Sequence, residues 1–191
     1  MYKNNTSMAS LTSSEKEAIE QIIEYGIDTF GFNTTRVLPL TLVLLGERDG
    51  CLIGVTEKEE AEFLEDTLSN AGISFNKDTS KNYRFFIAKS DSHLTKNSVG
   101  EGRPDGEFFG YPDDSIEFYC SSSDPVKEFE EFMRNSSSHS FESWGDKTPL
   151  IEYIPAPTEE SVEQALEREK SYENALRSAS VDLSNAHDYR F

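Results

Sequence analysis

Val37-Leu-Pro-Leu-Thr-Leu-Val-Leu-Leu45 is the longest apolar run in the chain, and its reading decides the fold. A nearly continuous apolar stretch closed by Gly46 matches a strand covered on both faces. Pro39 and Thr41 interrupt it, and it is about half as long as a membrane-spanning helix. Glu47-Arg-Asp-Gly50 follows as a turn, because Asp-Gly is a strong hairpin signal. Cys51-Leu-Ile-Gly-Val55 then reads as the returning strand or as an extended approach to the next helix. Further on, Ile73-Ser-Phe75, the aromatic and β-branched Tyr83-Arg-Phe-Phe-Ile-Ala88, and Pro149-Leu-Ile-Glu-Tyr-Ile154 have strand character. The expectation is a single α/β domain, with α+β as the variant. It has a small mixed sheet of about four to five strands drawn from 37–45, 51–55, 83–88 and 149–154, with packed helices.

The helices announce themselves by their caps. Thr12 and Glu15 have capping-box spacing, and Ile19, Ile22, Ile23, Gly26, Ile27 and Phe30 follow at helical spacing towards a stop at Gly31. Thr56-Glu-Lys-Glu59 is a second candidate box, opening an amphipathic helix through Ala61, Leu64 and Leu68 with Gly72 at C′. A turn at Gly110 precedes a short helix near Pro112. Asp124-Pro125 places an acid at an N-cap and proline at N1, with Phe129, Phe132 and Met133 turned inward. Thr158 begins a long last helix through Val162, Ala165, Leu166 and Tyr172. The polar stretch from Lys89 to Glu107 reads as a loop of the kind that is functional or disordered. Residues 1–11 are expected to form a mobile tail and 179–191 a frayed one, with 12–178 as one domain and no repeat or linker inside it.

Thirty-six acidic residues against eighteen basic ones give the 191-residue chain a net charge of −18, spread along its length. Such self-repulsion is tolerable where salt shortens the Debye length to roughly 3 Å, at about molar ionic strength. The surface therefore points to a salt-adapted source. Phosphate backbones are gripped by clustered Lys and Arg, which are absent, so direct nucleic-acid binding is excluded. Only 36% of residues are hydrophobic, but 13 Phe and 8 Tyr supply large apolar areas for a core. Cys51 and Cys120 lie in no CxxC pair, which argues for inert, buried thiols and no local zinc site. The polar N-terminus lacks the apolar core of a signal peptide, so a cytoplasmic protein without membrane contact is expected.

Phe109-Gly-Tyr-Pro-Asp-Asp-Ser-Ile-Glu-Phe-Tyr119 resembles the Gly-Tyr-Pro-x-Cys-Cys-x-x-Phe-Phe element of a small uncharacterised archaeal family. In that family a later strand ends in Pro-Cys-Ser-x-x-Cys and runs into a helix. Tyr153-Ile-Pro-Ala-Pro-Thr-Glu-Glu160 occupies the corresponding place, so the resemblance spans about residues 105 to 180. Four converging thiols would imply a zinc or iron–sulfur site in the relatives. Here Asp114 and Ser115 stand at the first Cys pair, Ala156 at the third and Glu160 near the fourth. Ser and Ala do not replace thiolates, so neither a metal nor another cofactor is expected. The resemblance also implies that the helix starts near Pro112 and Thr158 face each other, with Asp114 and Glu160 turned to solvent or a cation.

Arg103, Tyr111, Asp113, Asp114, Ser115 and Glu160 are accordingly the candidate pocket residues, with Arg103 as the anion contact. No catalytic residue is assigned: Cys120 with His139 forms a nucleophile–base pair only if the fold brings them together. Gly100 to Gly106 lacks the strand, lysine and immediate helix of a P-loop. His93, His139 and His187 show no metal-ligand spacing, and Trp144 reads as a core or rim anchor. The leading functional expectation is a non-enzymatic acidic intracellular protein of a salt-adapted microbe or its virus, acting through protein contacts. The alternatives are a small enzyme with an acid-lined pocket near 103–115 and 155–160, and an acidic nucleic-acid mimic.

Overall fold

The computed structural model describes residues 10–25, 37–80, 82–94, 103–136, 144, 148 and 150–181, in two compact units. The first comprises 1–96 with 174–191, the second 97–173. The first begins with α1 (Ser13–Tyr25), capped as the sequence predicts. Thr12 N donates to Glu15 Oε2 at 2.7 Å and Glu15 N to Thr12 Oγ1 at 3.2 Å. Ala18, Ile19 and Ile22 form its buried face. The expected continuation through Gly26 and Phe30 to Gly31 lies outside the described residues.

The decisive stretch is a helix rather than a strand. All nine residues of α2 (Val37–Leu45) are buried, so no face alternates and the pattern carries no period to separate the two readings. Two local features favour the helix. Leucine-rich sequence has high helix propensity, and Pro39 sits in the first turn, where backbone N–H groups have no intrahelical partner anyway. The buried Thr41 hydroxyl donates to the Val37 carbonyl at 2.8 Å, which removes the cost of its burial. Gly46, at φ +80°, ends the helix: its N–H donates to Val43 O and that of Glu47 to Leu42 O, the Schellman arrangement.

With α2 helical, no hairpin forms across Asp49-Gly50. β1 (Gly50–Val55) pairs antiparallel with β3 (Tyr83–Ala88), in register Cys51 to Ile87 and Ile53 to Phe85. β2 (Phe75–Asp78) lies on the other edge of β3, also antiparallel and two residues later than the expected 73–75 strand. The sheet therefore has three strands in the order β1-β3-β2, all antiparallel; the fold is α+β rather than a mixed sheet of four to five strands. Between β1 and β2 runs α3 (Lys58–Asn70), whose N-cap is Glu57 without a side-chain bond; the predicted Thr56–Glu59 box does not form. At its other end Gly72 adopts φ +70° at C′, as predicted. Helices α2 and α3 pack on β1, and α1 packs on both. Phe85, Leu64 and Ile53 are at most 1% exposed in this core. α4 (Asp91–Leu94) packs on β3 and β2.

The second unit is helical. α5 (Arg103–Phe109) forms inside the stretch read as a polar loop, followed by α6 (Asp113–Ser121) and α7 (Pro125–Asn135). Pro112 is the N-cap of α6, and Asp124 caps α7 by accepting from Lys127 N, with Pro125 at N1. α8 (Glu159–Ser178) belongs here as far as residue 173. Phe129, Met133 and Val162 form the core, with Phe118, Trp144 and Ile154 packed against it. The expected strand at 149–154 is absent over its described part: Leu150 is in a turn and 151–154 is irregular. Its backbone is satisfied by a buried side chain rather than a sheet, as described below. Of the expected tails, Leu11 and Ala179 are buried, while 1–9 and 182–191 lie outside the described residues.

Candidate functional site

Gly110 makes the site possible. It closes α5 at φ +71°, with its own N–H donated to Glu107 O and the Tyr111 N–H to Gly106 O at 2.9 Å. The chain reverses there, and α6 returns along α5. Gly106 sets how closely the two helices approach, since a Cβ at this position would lie 2.7 Å from Ile116 Cγ1. Beside this helix pair opens a cavity of about 720 Å³, within the range of small-molecule sites. Asp105 and Phe109 of α5, Tyr111 of the turn, and Ser115, Tyr119 and Cys120 of α6 line it. Glu152, Tyr153 and Ile154 complete the lining.

Its aromatic rings form a continuous series. Phe109 and Tyr111 have centroids 5.5 Å apart, and Tyr111 and Tyr153 5.1 Å, both tilted. The Arg168 guanidinium lies 5.9 Å from the Tyr153 centroid and donates from Nη1 to the Gly110 carbonyl at 2.9 Å. One side chain of α8 thereby ties the α5–α6 turn to the 152–154 segment.

A second tie is ionisable. Glu169, 2% exposed, accepts the Leu150 N–H on both carboxylate oxygens at 3.1 Å. Burial pushes its carboxyl up to about 7. The Leu150 N–H holds it down from a higher value, the nearby Glu173 charge adds to the rise, and the Ile151 N–H opposes it. The segment expected to be a strand is thus positioned two residues before the cavity wall by one buried acid.

Of the sequence-predicted residues, Tyr111 and Ser115 line the cavity. Arg103 begins α5, and its side chain lies outside the described residues. Asp113 is exposed in the first turn of α6, where a negative charge complements the helix dipole. Asp114 and Glu160 are both exposed. Asp114 accepts the Ser115 N–H at 2.8 Å and the Ser161 hydroxyl, so it bridges the start of α6 to the start of α8. Ser161 N in turn donates to Thr158 Oγ1 at 3.2 Å. The two helix starts do meet, and Asp114 is exposed as expected while also accepting from a serine. Glu160 is exposed and accepts from Gln164 Nε2 at 3.3 Å.

The acid-lined pocket expected near 103–115 and 155–160 is thus displaced: its first segment lines the cavity, and 152–154 takes the place of the second. Cys120 is exposed at the cavity, contrary to the expected buried thiol; Cys51 is buried as expected. His139 and His187 lie outside the described residues. Sequence reasoning missed Gly106, Glu169 and Tyr153. A glycine four residues before another glycine was a visible hint of close helix approach, whereas nothing in sequence distinguishes Glu169 from its many acidic neighbours.

Among the described residues no group of three or more His, Cys, Asp or Glu is placed to hold a metal ion, and no helix is long and apolar enough to cross a membrane. No family model, curated protein or solved structure matches this chain.

Proposed function

We propose that this chain is a non-catalytic binding protein acting by contacts made through the cavity of its second unit, in an intracellular, salt-rich setting. The observation that carries this reading is the cavity itself. At about 720 Å³ it has room for a small molecule or a partner's side chains, and its lining sets aromatic and aliphatic side chains beside Asp105, Ser115 and Glu152. Tyr119 of its lining is 54% exposed, a ring surface suited to contact. The enzyme alternative draws less support. The cavity offers one thiol, Cys120, and its described lining contains no histidine or lysine to act as its base. The nucleic-acid mimic draws less again, since mimicry uses acids gathered on a convex face, and here the wall of interest is aromatic. Salt adaptation is supported by the −18 charge carried along the whole chain.

A fragment screen followed by backbone NMR in about 2 M KCl tests the reading, the salt chosen to screen self-repulsion. Perturbations concentrated at 105–120 and 152–154 are expected. Fragments that bind only elsewhere, or none that bind, overturn it.

A further inference from the structure

Resting on that reading of the cavity as the binding site, we infer that its occupant is an organic cation, an alkylated ammonium group with a small apolar body. Two features of the wall point the same way. Phe109, Tyr111 and Tyr153 present a run of adjoining π-systems with centroids 5.1–5.5 Å apart, and aromatic faces attract cations through their quadrupole. Asp105 and Glu152 bring two acidic side chains to the same wall, while no Lys, Arg or His is among its described lining residues. Their charge contributes to the potential whatever else they bond, and a low-dielectric concavity focuses that potential.

These features discriminate between ligand classes. A neutral aromatic or aliphatic molecule would gain from the rings but nothing from Asp105 and Glu152. An anion would be repelled by both acids and by the negative ring faces. An ammonium bearing methyl groups gains from both, because its charge is spread over an apolar surface that costs little to strip of water. A free quaternary ammonium compound and a methylated lysine on a protein partner share this chemistry.

Titration of the full chain by NMR and calorimetry with choline, its uncharged carbon isostere, and a short peptide carrying trimethyllysine tests the inference. Choline is expected to bind at the cavity about tenfold tighter than the isostere, the ring–cation attraction and the acids adding to a common shape. A peptide tighter than choline assigns the source as a protein, and the reverse as a free solute. Glu152→Gln, at an exposed position, and Tyr111→Leu are each expected to weaken choline several-fold while leaving the isostere within about twofold. An isostere equal to choline, or variants that weaken both ligands alike, overturns the inference. Fragments that occupy the cavity while choline and the peptide do not also overturn it, leaving the binding reading intact. Failure of every probe at 105–120 and 152–154 overturns both.

Discussion

The two units solve the same problem with different means. In the first, the sheet and helices α1–α4 bury aliphatic and aromatic side chains, and its ion pairs, such as Arg84 with Asp78, stay partly exposed. In the second, short helices enclose a modest apolar core, and polar side chains hold the geometry. Glu169 fixes the 150–151 backbone, Arg168 fixes Gly110, and Asp114 joins the starts of α6 and α8. Apolar burial is non-directional and indifferent to pH, whereas a hydrogen-bonded acid is directional and titratable. The difference teaches where adjustability lies. The unit that carries the cavity is the one whose backbone is tied by a buried carboxylate.

The largest effect expected is on the apolar side of that contrast. Phe85 is 0% exposed at the centre of the sheet, in β3 between β1 and β2. Phe85→Ala should cost about 3–5 kcal/mol through lost burial and the cavity left behind. Urea unfolding followed by circular dichroism measures it, and the loss should be the same at pH 5 and pH 8. A cost under about 1 kcal/mol would mean that the ring is not the packing centre the burial describes.

Glu169→Gln tests the polar side. The folded carboxyl lies at about 7 against an ordinary 4.5, so the folded chain binds this proton more tightly than the unfolded chain does. Stability therefore falls as pH rises from 4.5 through about 7, and stays lower above it. Glutamine keeps an acceptor for the Leu150 N–H and has no proton to lose. The variant should equal the wild type near pH 4 and exceed it at pH 8, by on the order of 2 kcal/mol after allowance for residual solvent. Melting curves at both pH values read this directly. A wild type whose stability is flat across the window would show that Glu169 is not the soft point of the second unit.

The same contrast explains what could be read from sequence. Caps are local, so Thr12 with Glu15, Gly72, Gly110 and Asp124-Pro125 were all legible from a few residues. The sheet was half legible: β1 and β3 carry β-branched and aromatic residues, but Val37–Leu45 is buried all round and so shows neither a helical nor a strand period. Mistaking that run for a strand also created a hairpin that does not exist. Pro149–Ile154 misled for a different reason. Leu150 is buried, yet the partner of its backbone is an acid nineteen residues away, and tertiary hydrogen bonds leave no pattern in sequence. At the site, Tyr111 and Ser115 were legible through the turn they flank. Tyr153 became part of it only through folding, and so did the bond from Ser161 to Asp114.

The smallest effect, and the one that probes the cavity's frame most sharply, is at Gly106. Alanine is a better helix residue than glycine by up to about 1 kcal/mol, so propensity alone predicts that Gly106→Ala stabilises α5. Packing predicts the opposite. The new Cβ would stand 2.7 Å from Ile116 Cγ1, an atom one bond from Cβ on a side chain that is 4% exposed and has no room to swing aside. Overpacking of this kind costs about 1–3 kcal/mol, so the net expectation is a loss of about 1 kcal/mol. The sign should depend on Ile116. In an Ile116→Ala background the clash partner is gone, and Gly106→Ala should then stabilise by the propensity difference. Four chemical-denaturation curves complete the cycle, and a reversal of sign identifies the α5–α6 contact as the cause. A Gly106→Ala effect of the same sign in both backgrounds would assign the glycine to α5 alone, and the close approach that shapes the aromatic wall would lose its explanation.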